Sequence, residues 1–356
     1  MSLLPQLAQI ANLRQALATQ LDVMTGILQP LQESIDLTQP LADLSAASQS
    51  LSQGVFRLMV LGDMKRGKST FLNALLGEPL LPSNVNPCTA LLTVLRYGPV
   101  SKATIYFNDD RPSEELNIDT FTQRYTINPA ETRQGSNTPF AHVSHAVIYH
   151  PLPLLQNGVE IVDSPGLNDT EARNKLSLGY IQNCHAILFM LRATQPCTLT
   201  ERRYLNNYLQ NKGLSLFFLL NAWDQVKESL LDPDDLDELV QAETQLHRVF
   251  YSTLSNYCNN YDQRVFPISA LDVLRQRIKS PETPIRDPGF VQFLTTLEQF
   301  LTHERAQAEF QPAVVLSQRT LAELTEKVQL RQALLAQTVV ELKQNILQLA
   351  PVFERL

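Results

Sequence analysis

The sequence predicts an α/β fold with flanking helical arms, and three observations carry that expectation. A buried strand, Val55–Leu61, runs into a glycine-bounded loop and then into the helical pattern of residues 71–76. Further apolar strands end in polar loops at Asp163 and at Asn221. Leucine seams stand at both ends of the chain.

Taken in order, residues 1–53 read as helices. Leu3, Leu7, Ile10, Leu17, Leu21, Met24, Leu28 and Leu31 recur at alternating three and four spacing, with Arg14 in the one missing place. Pro30 and Pro40 divide the stretch into two or three helices. The first strand then leads to Gly62-Asp63-Met64-Lys65-Arg66-Gly67-Lys68-Ser69-Thr70, which reads G-x-x-x-x-G-K-S, the P-loop pattern. Gly62 and Gly67 let the backbone curl, so that its N–H groups and the helix N-terminus face a polyphosphate. Lys68 is placed to reach the β- and γ-phosphates, and the Ser69 hydroxyl to bind Mg²⁺. By itself this motif implies a nucleoside triphosphate and no more.

Three later segments narrow the base to guanine. The strand 158–163 ends in Asp163-x-x-Gly166, where the carboxylate can hold Mg²⁺ through a water and the glycine N–H can bond the γ-phosphate. The strand 214–220 ends in Asn221-Ala-Trp-Asp224. A carboxylate at 224 accepts from N1–H and the exocyclic amine of guanine, which adenine cannot supply; such sites reject the analogue by roughly 10⁴-fold or more in the best cases. Asn221 braces that loop against the P-loop. The bland alternative makes Asp224 a helix cap. A short strand, 265–268, ends in Ser269-Ala270, which can offer a backbone N–H to the guanine oxygen. Between the P-loop helix and the next strand lies 82–89, flanked by prolines. Thr89 in this loop is the choice for a second hydroxyl on Mg²⁺ and for orienting the attacking water; a solvated loop threonine is its plain alternative.

The order GDMKRGKST, PSNVNPCTA, DSPGLND and NAWD resembles the GTPase domain of the dynamin superfamily, most of all the bacterial dynamin-like proteins. The resemblance implies a Ras-like P-loop GTPase core with an enlarged mixed sheet at 54–302, N-terminal neck helices at 1–53 and a C-terminal neck or stalk helix at 303–356. The implied activity is hydrolysis of GTP to GDP and phosphate with Mg²⁺. The implied partners are a second copy across the nucleotide face and, for the complete protein, a higher homo-oligomer and a lipid membrane that it remodels. The charged segment 168–175 is a surface suited to meeting the second GTPase domain.

Several positions depart from common GTPase patterns. Leu167 stands where Ras-like enzymes carry a water-positioning glutamine. Met64 cannot orient a water strongly. Lys65 or Arg66 could supply positive charge near the leaving oxygen in cis, a device that contributes about 10³–10⁵ in rate in arginine-finger systems. A solvated basic loop is the equal alternative. Ala222 replaces the lysine of Asn-Lys-x-Asp, which removes a cover from the base and predicts loose binding without an exchange factor. The rival functions are a regulatory GTPase switch and a nucleotide-regulated assembly scaffold with weak turnover.

The 356 residues allow two or three units. The net charge of −7 and the lack of a Lys/Arg run argue against a nucleic-acid partner. The four cysteines, Cys88, Cys184, Cys197 and Cys258, lack metal-ligand spacing and suit a reduced, cytoplasmic protein; the resemblance implies that the complete protein is peripheral on the membrane. His142, His145 and His150 read as surface or strand residues. No signal sequence and no apolar stretch of membrane-spanning length is present. Leu321, Leu324, Val328, Leu335, Leu342, Ile346, Leu349 and Phe353 form the second leucine seam, interrupted at Arg331 and Thr338, which could pack on the first as a helical bundle; the plain alternative is that each helix covers the α/β core. It runs almost to Leu356 without a cap, which predicts that the helix continues beyond this sequence.

Overall fold

The computed structural model describes residues 3–32, 34–81, 91–109, 111–125, 140, 142–164, 179–181, 183–258, 260–335, 341, 343, 344, 346 and 347. Its centre is one mixed sheet of nine strands: β1 Phe56–Leu61, β2 Thr93–Tyr97, β3 Lys102–Phe107, β4 Glu114–Leu116, β5 Val143–His150, β6 Val159–Asp163, β7 Ala186–Arg192, β8 Ser215–Asn221 and β9 Val265–Ile268. The order across the sheet is β4-β3-β5-β2-β6-β1-β7-β8-β9. From β6 to β9 all pairings are parallel. On the other side β2 joins β6 antiparallel, and β3 lies antiparallel to both β4 and β5. This is the enlarged mixed sheet that the sequence implies.

The central strands are near-continuous apolar runs because helices cover both faces. Alternate residues of β1 serve different layers: Leu58 and Val60 join the cluster beneath the helices carrying Phe71, Phe290 and Phe293, while Met59 and Leu61 join the cluster with Tyr204, Leu205, Phe250 and Leu254. The helices over the first face are α3 Lys68–Leu76, α8 Ala270–Lys279 and α9 Pro288–His303. Those over the second are α5 Leu199–Tyr204, continued by a wide turn through Leu209, and α7 Leu236–Leu254. Two short helices, α4 Ile118–Tyr125 and α6 Asp224–Glu228, sit in connections. His145 and His150 lie on β5, as expected, and His150 is buried with Nε2 2.8 Å from Glu78.

The chain ends form a separate helical layer of α1 Leu3–Leu28, α2 Thr38–Gln53 and α10 Arg305–Leu335. Pro30 falls in a short 3₁₀ turn after α1, and Pro40 in the first turn of α2, where its missing N–H has no intrahelical partner to lose. Gly54, at φ 65°, ends α2 in the left-handed conformation and sends the chain into β1. Ala18, Leu21, Leu28, Leu41, Leu44, Leu51 and Ala313 make the core of this layer.

The second seam packs on the first at Leu324, as expected, and needs correction elsewhere. The face of α10 that packs is Ala313, Leu316 and Leu324, with Thr320 buried beside them. Of the expected positions, Leu321 and Leu335 are 59% and 78% exposed, and Ile346 is 66% exposed. Lys327 and Arg331 already bond the carbonyls of Asp36 and Ser34 in the α1–α2 connection, so α10 runs past the end of its partners there. Leu342, Leu349 and Phe353 lie outside the described residues. Among the described residues, no helix is long and apolar enough to cross a membrane.

Polar ties join the helical layer to the sheet. Arg14 takes a place in the α1 seam because its guanidinium grips the buried Glu309 of α10 through two bonds, 2.5 and 3.1 Å. Arg57 of β1 bonds Ser50 and Gln53 of α2 and also Glu160 of β6.

Candidate nucleotide site

The polar loops that the sequence singles out follow β1, β6, β8 and β9, neighbouring parallel strands whose carboxyl ends share one edge of the sheet. That edge is where open α/β sheets bind ligands. The P-loop leaves β1 at Gly62, where an added Cβ would lie 2.6 Å from the Met190 carbonyl of β7. Its curl depends on two left-handed residues, Lys65 at φ 61° and Gly67 at φ 86°. Glycine is required at 67 for a second reason, since a Cβ there would stand 2.2 Å from Asn221 Nδ2.

Lys68 opens α3 and folds back into the loop, its Nζ donating to the Gly62 and Asp63 carbonyls at 2.9 and 3.1 Å. Its ammonium is thus held, buried, inside the curl that the backbone N–H groups surround. The Asp63 carboxylate accepts from the Met64 N–H at 2.7 Å. Lys65 is exposed, and Thr70 is half-buried in the first turn of α3. Ser69 donates its hydroxyl to Asp163 at 3.3 Å, and both residues are buried. This brings a hydroxyl from the first turn of α3 and a carboxylate from the end of β6 together beside the loop. Hard oxygen donors of that kind suit Mg²⁺, which usually takes one or two protein oxygens and completes its shell with water and phosphate.

Asn221 joins the P-loop to the Ser269-Ala270 loop. Its Nδ2 donates to the Arg66 carbonyl at 2.9 Å, and its Oδ1 accepts from the Ala270 N–H at 3.1 Å. The Asp224 N–H donates to Ser269 Oγ at 3.0 Å. Trp223, not Asp224, holds the cap position of α6, so the plain reading of Asp224 as a helix cap does not apply. Ala222 sits at φ 60°, a left-handed residue that its type does not favour.

Two expectations are corrected by these contacts. The Ala270 N–H, assigned to the guanine oxygen, is occupied by Asn221, and the neighbouring Ser269 N–H by Asp287 at 2.9 Å. Arg66, considered for charge near the leaving oxygen, is 6% exposed and turned into the protein, where Nε meets Glu201 at 2.8 Å and Nη1 meets Gln195 at 2.7 Å. Thr89, Gly166, Leu167 and the segment 168–175 lie outside the described residues.

Sequence reasoning missed several supports. Asp287 caps α9 and at the same time fixes the Ser269 loop; its signal was Asp-Pro-Gly at a helix start. Gly289 follows it because a Cβ there would lie 1.7 Å from the Pro267 carbonyl. Glu201 belongs to a Thr-x-x-Glu capping box with Thr198, also legible as a pattern. Asn73 of α3 brackets Leu81 from both sides, at 2.7 and 2.8 Å, and so fixes the entry to 82–90. No local pattern marks that contact.

The Dynamin family matches residues 58–223, from β1 through the loop that carries Asn221, and the helical domain of the bacterial dynamin-like protein matches 273–356. A Bacterial dynamin-like protein of Nostoc punctiforme (strain ATCC 29133 / PCC 73102) is 54% identical over 330 residues, covering 90% of this chain and 48% of that relative. The chain belongs to the dynamin family. Members of that family are GTPases. Dynamin-like protein 1 of Campylobacter jejuni subsp. jejuni is similar at 29% identity over 214 residues, 52% of this dynamin and 29% of the relative. A solved bacterial dynamin, described as an oligomerised pair that senses and tethers membranes, shares the fold with a TM-score of 0.52 at 20% identity, over 94% of this chain and 51% of that one. This dynamin therefore spans about half the length of the Nostoc relative and of the solved structure.

Proposed function

We propose that the chain is the GTP-binding and GTP-hydrolysing part of a mechanochemical dynamin, with neck helices at 1–53, a GTPase domain at 54–302 and the start of a stalk helix at 303–356. The observation that supports this most is Asn221, one side chain that bonds both the P-loop and the Ser269-Ala270 loop. A single ligand that reaches from phosphates to base would satisfy both loops at once. Asp224 reads the guanine edge. Lys68 and the loop N–H groups cradle the phosphates. Ser69 and Asp163, joined by Thr89, would hold Mg²⁺, which when bound neutralises charge on the phosphates. Water attacks the γ-phosphate directly. With Arg66 turned inward, Lys65 is the residue left to place positive charge at the bridging oxygen; its exposed left-handed position on the loop suits that role.

In the complete protein, dimerisation across the nucleotide face would move the helical arms and act on a membrane to which the protein attaches peripherally. Arg57 and Arg14 are suited to transmit that movement, because they tie β1 and α1 to the remaining helices.

Calorimetric titration with GTP, GDP and ATP tests the base assignment. GTP and GDP bind the wild type, more weakly than nanomolar because Ala222 leaves the base uncovered, and ATP does not compete. Asp224→Ala lowers the guanine-over-adenine preference by about 10²-fold or more. Equal or tighter binding of ATP would end the proposal. Turnover that rises steeply with protein concentration supports dimer-stimulated hydrolysis; a flat, low rate supports the scaffold instead.

A further inference from the structure

We infer that Glu201 is a positioning residue for the phosphate loop, acting through a buried clamp on Arg66. The inference rests on the nucleotide reading of the P-loop and adds a residue outside its motifs. Arg66 stands between the two left-handed residues of the loop, Lys65 and Gly67. It is held from two sides. Its carbonyl accepts from Asn221 at 2.9 Å, and its guanidinium is gripped by Glu201 at 2.8 Å and Gln195 at 2.7 Å. The loop backbone on which the phosphate-facing N–H groups depend is therefore anchored at its midpoint.

Glu201 is itself rigid. It is 0% exposed, and its second oxygen accepts from both the N–H and the hydroxyl of Thr198 at 2.7 and 3.0 Å. That capping box starts α5, which packs on the sheet face opposite α3. The carboxylate thus couples the loop to a fixed element 135 residues away in sequence. Both charges are buried, so a partner removed leaves the other without compensation. Lysine cannot replace the arginine, because one ammonium does not span Glu201 and Gln195 as the planar fork does.

This clamp acts on the phosphate cradle shared by GTP and GDP, so its loss weakens both nucleotides by the same factor. Arg66→Lys and Glu201→Gln each raise the Kd for GDP and for GTP about tenfold, and leave the guanine-over-adenine ratio as it was. The double substitution Arg66→Met with Glu201→Met separates position from stability. Its buried apolar pair restores the melting temperature of the nucleotide-free protein, since such replacements are often neutral or stabilising, while both Kd values stay raised. Folded single variants with wild-type Kd values overturn the clamp. So does a double variant that recovers nucleotide affinity along with stability. Failure of the wild type to bind any guanine nucleotide removes the nucleotide reading and the clamp together, and is distinguished from the other outcomes by that control.

Discussion

Two arginine–glutamate pairs, one half-buried in the helical layer and one fully buried beside the P-loop, make different contacts. Arg14–Glu309 lies in the helical layer, where it locks α1 against α10 inside a seam of leucines. Arg66–Glu201 lies at the edge of the sheet that carries the P-loop, where it holds a loop whose backbone is left-handed on both sides. The first pair sits among side chains that can shift rotamers to accommodate a change. The second holds a loop with little space to give: Gly62 against the Met190 carbonyl, and Gly67 against Asn221 Nδ2. A charge buried among adaptable side chains serves stability and register. On the reading proposed above, the same charge buried beside a fixed backbone serves ligand geometry.

The comparison breaks most visibly at Glu309. Glu309→Gln leaves Arg14 without its countercharge and should cost about 3–4 kcal/mol of stability. GDP affinity should not change, and urea unfolding combined with nucleotide titration checks both. A loss of GDP affinity there would show that the helical layer governs the loop directly.

Gly289→Ala comes next. Its Cβ would force α9 away from Pro267, a displacement worth about 2–3 kcal/mol. Because Asp287 holds the Ser269 N–H, guanine affinity should fall together with thermal stability.

Acid should weaken the bundle side. His185 is buried against Phe56 at the start of β1, where its Nδ1 accepts the Arg57 N–H. Burial, reinforced by Arg57, Arg305 and Arg14, pushes its pKa down to about 3. The unfolded chain takes up this proton from about pH 6.5 downward and the folded chain only near pH 3. Stability therefore falls across that window by about 1.4 kcal/mol per pH unit, or about 2 kcal/mol between pH 6.5 and 5. His185→Gln should flatten this part of the melting-temperature profile.

The smallest effect has the opposite sign. Ala222→Gly relieves a left-handed alanine and should stabilise by about 1 kcal/mol. Nucleotide affinity then reports whether the strain was needed: unchanged Kd values would place it outside the binding geometry.

Much of the site was legible because P-loop chemistry is local. The residues from Gly62 to Thr70 must be contiguous for one backbone curl to present its N–H groups, so spacing alone marks them. The strands also declared themselves, since those covered on both faces read as apolar runs. The C-terminal seam was misread for the same reason that the strands were read well. A periodic leucine pattern shows that a face is apolar, not that a partner lies opposite it, and α10 outruns α1 and α2 near Arg331. Arg66 was misjudged because a basic residue near phosphates looks the same in sequence whether it turns toward them or toward a carboxylate 135 positions away.

What the sequence determined by itself was the set of loops, their order along the chain and the apolar runs that carry them. Those features follow from short-range sterics and from the period of burial. What only the tertiary structure decided was which polar groups meet: Asn221 across two loops, Asp287 beneath Ser269, Glu201 behind Arg66, and Glu309 against Arg14. Such pairings cross long stretches of chain, and a buried hydrogen bond depends on distances that only the packed sheet and its helices set.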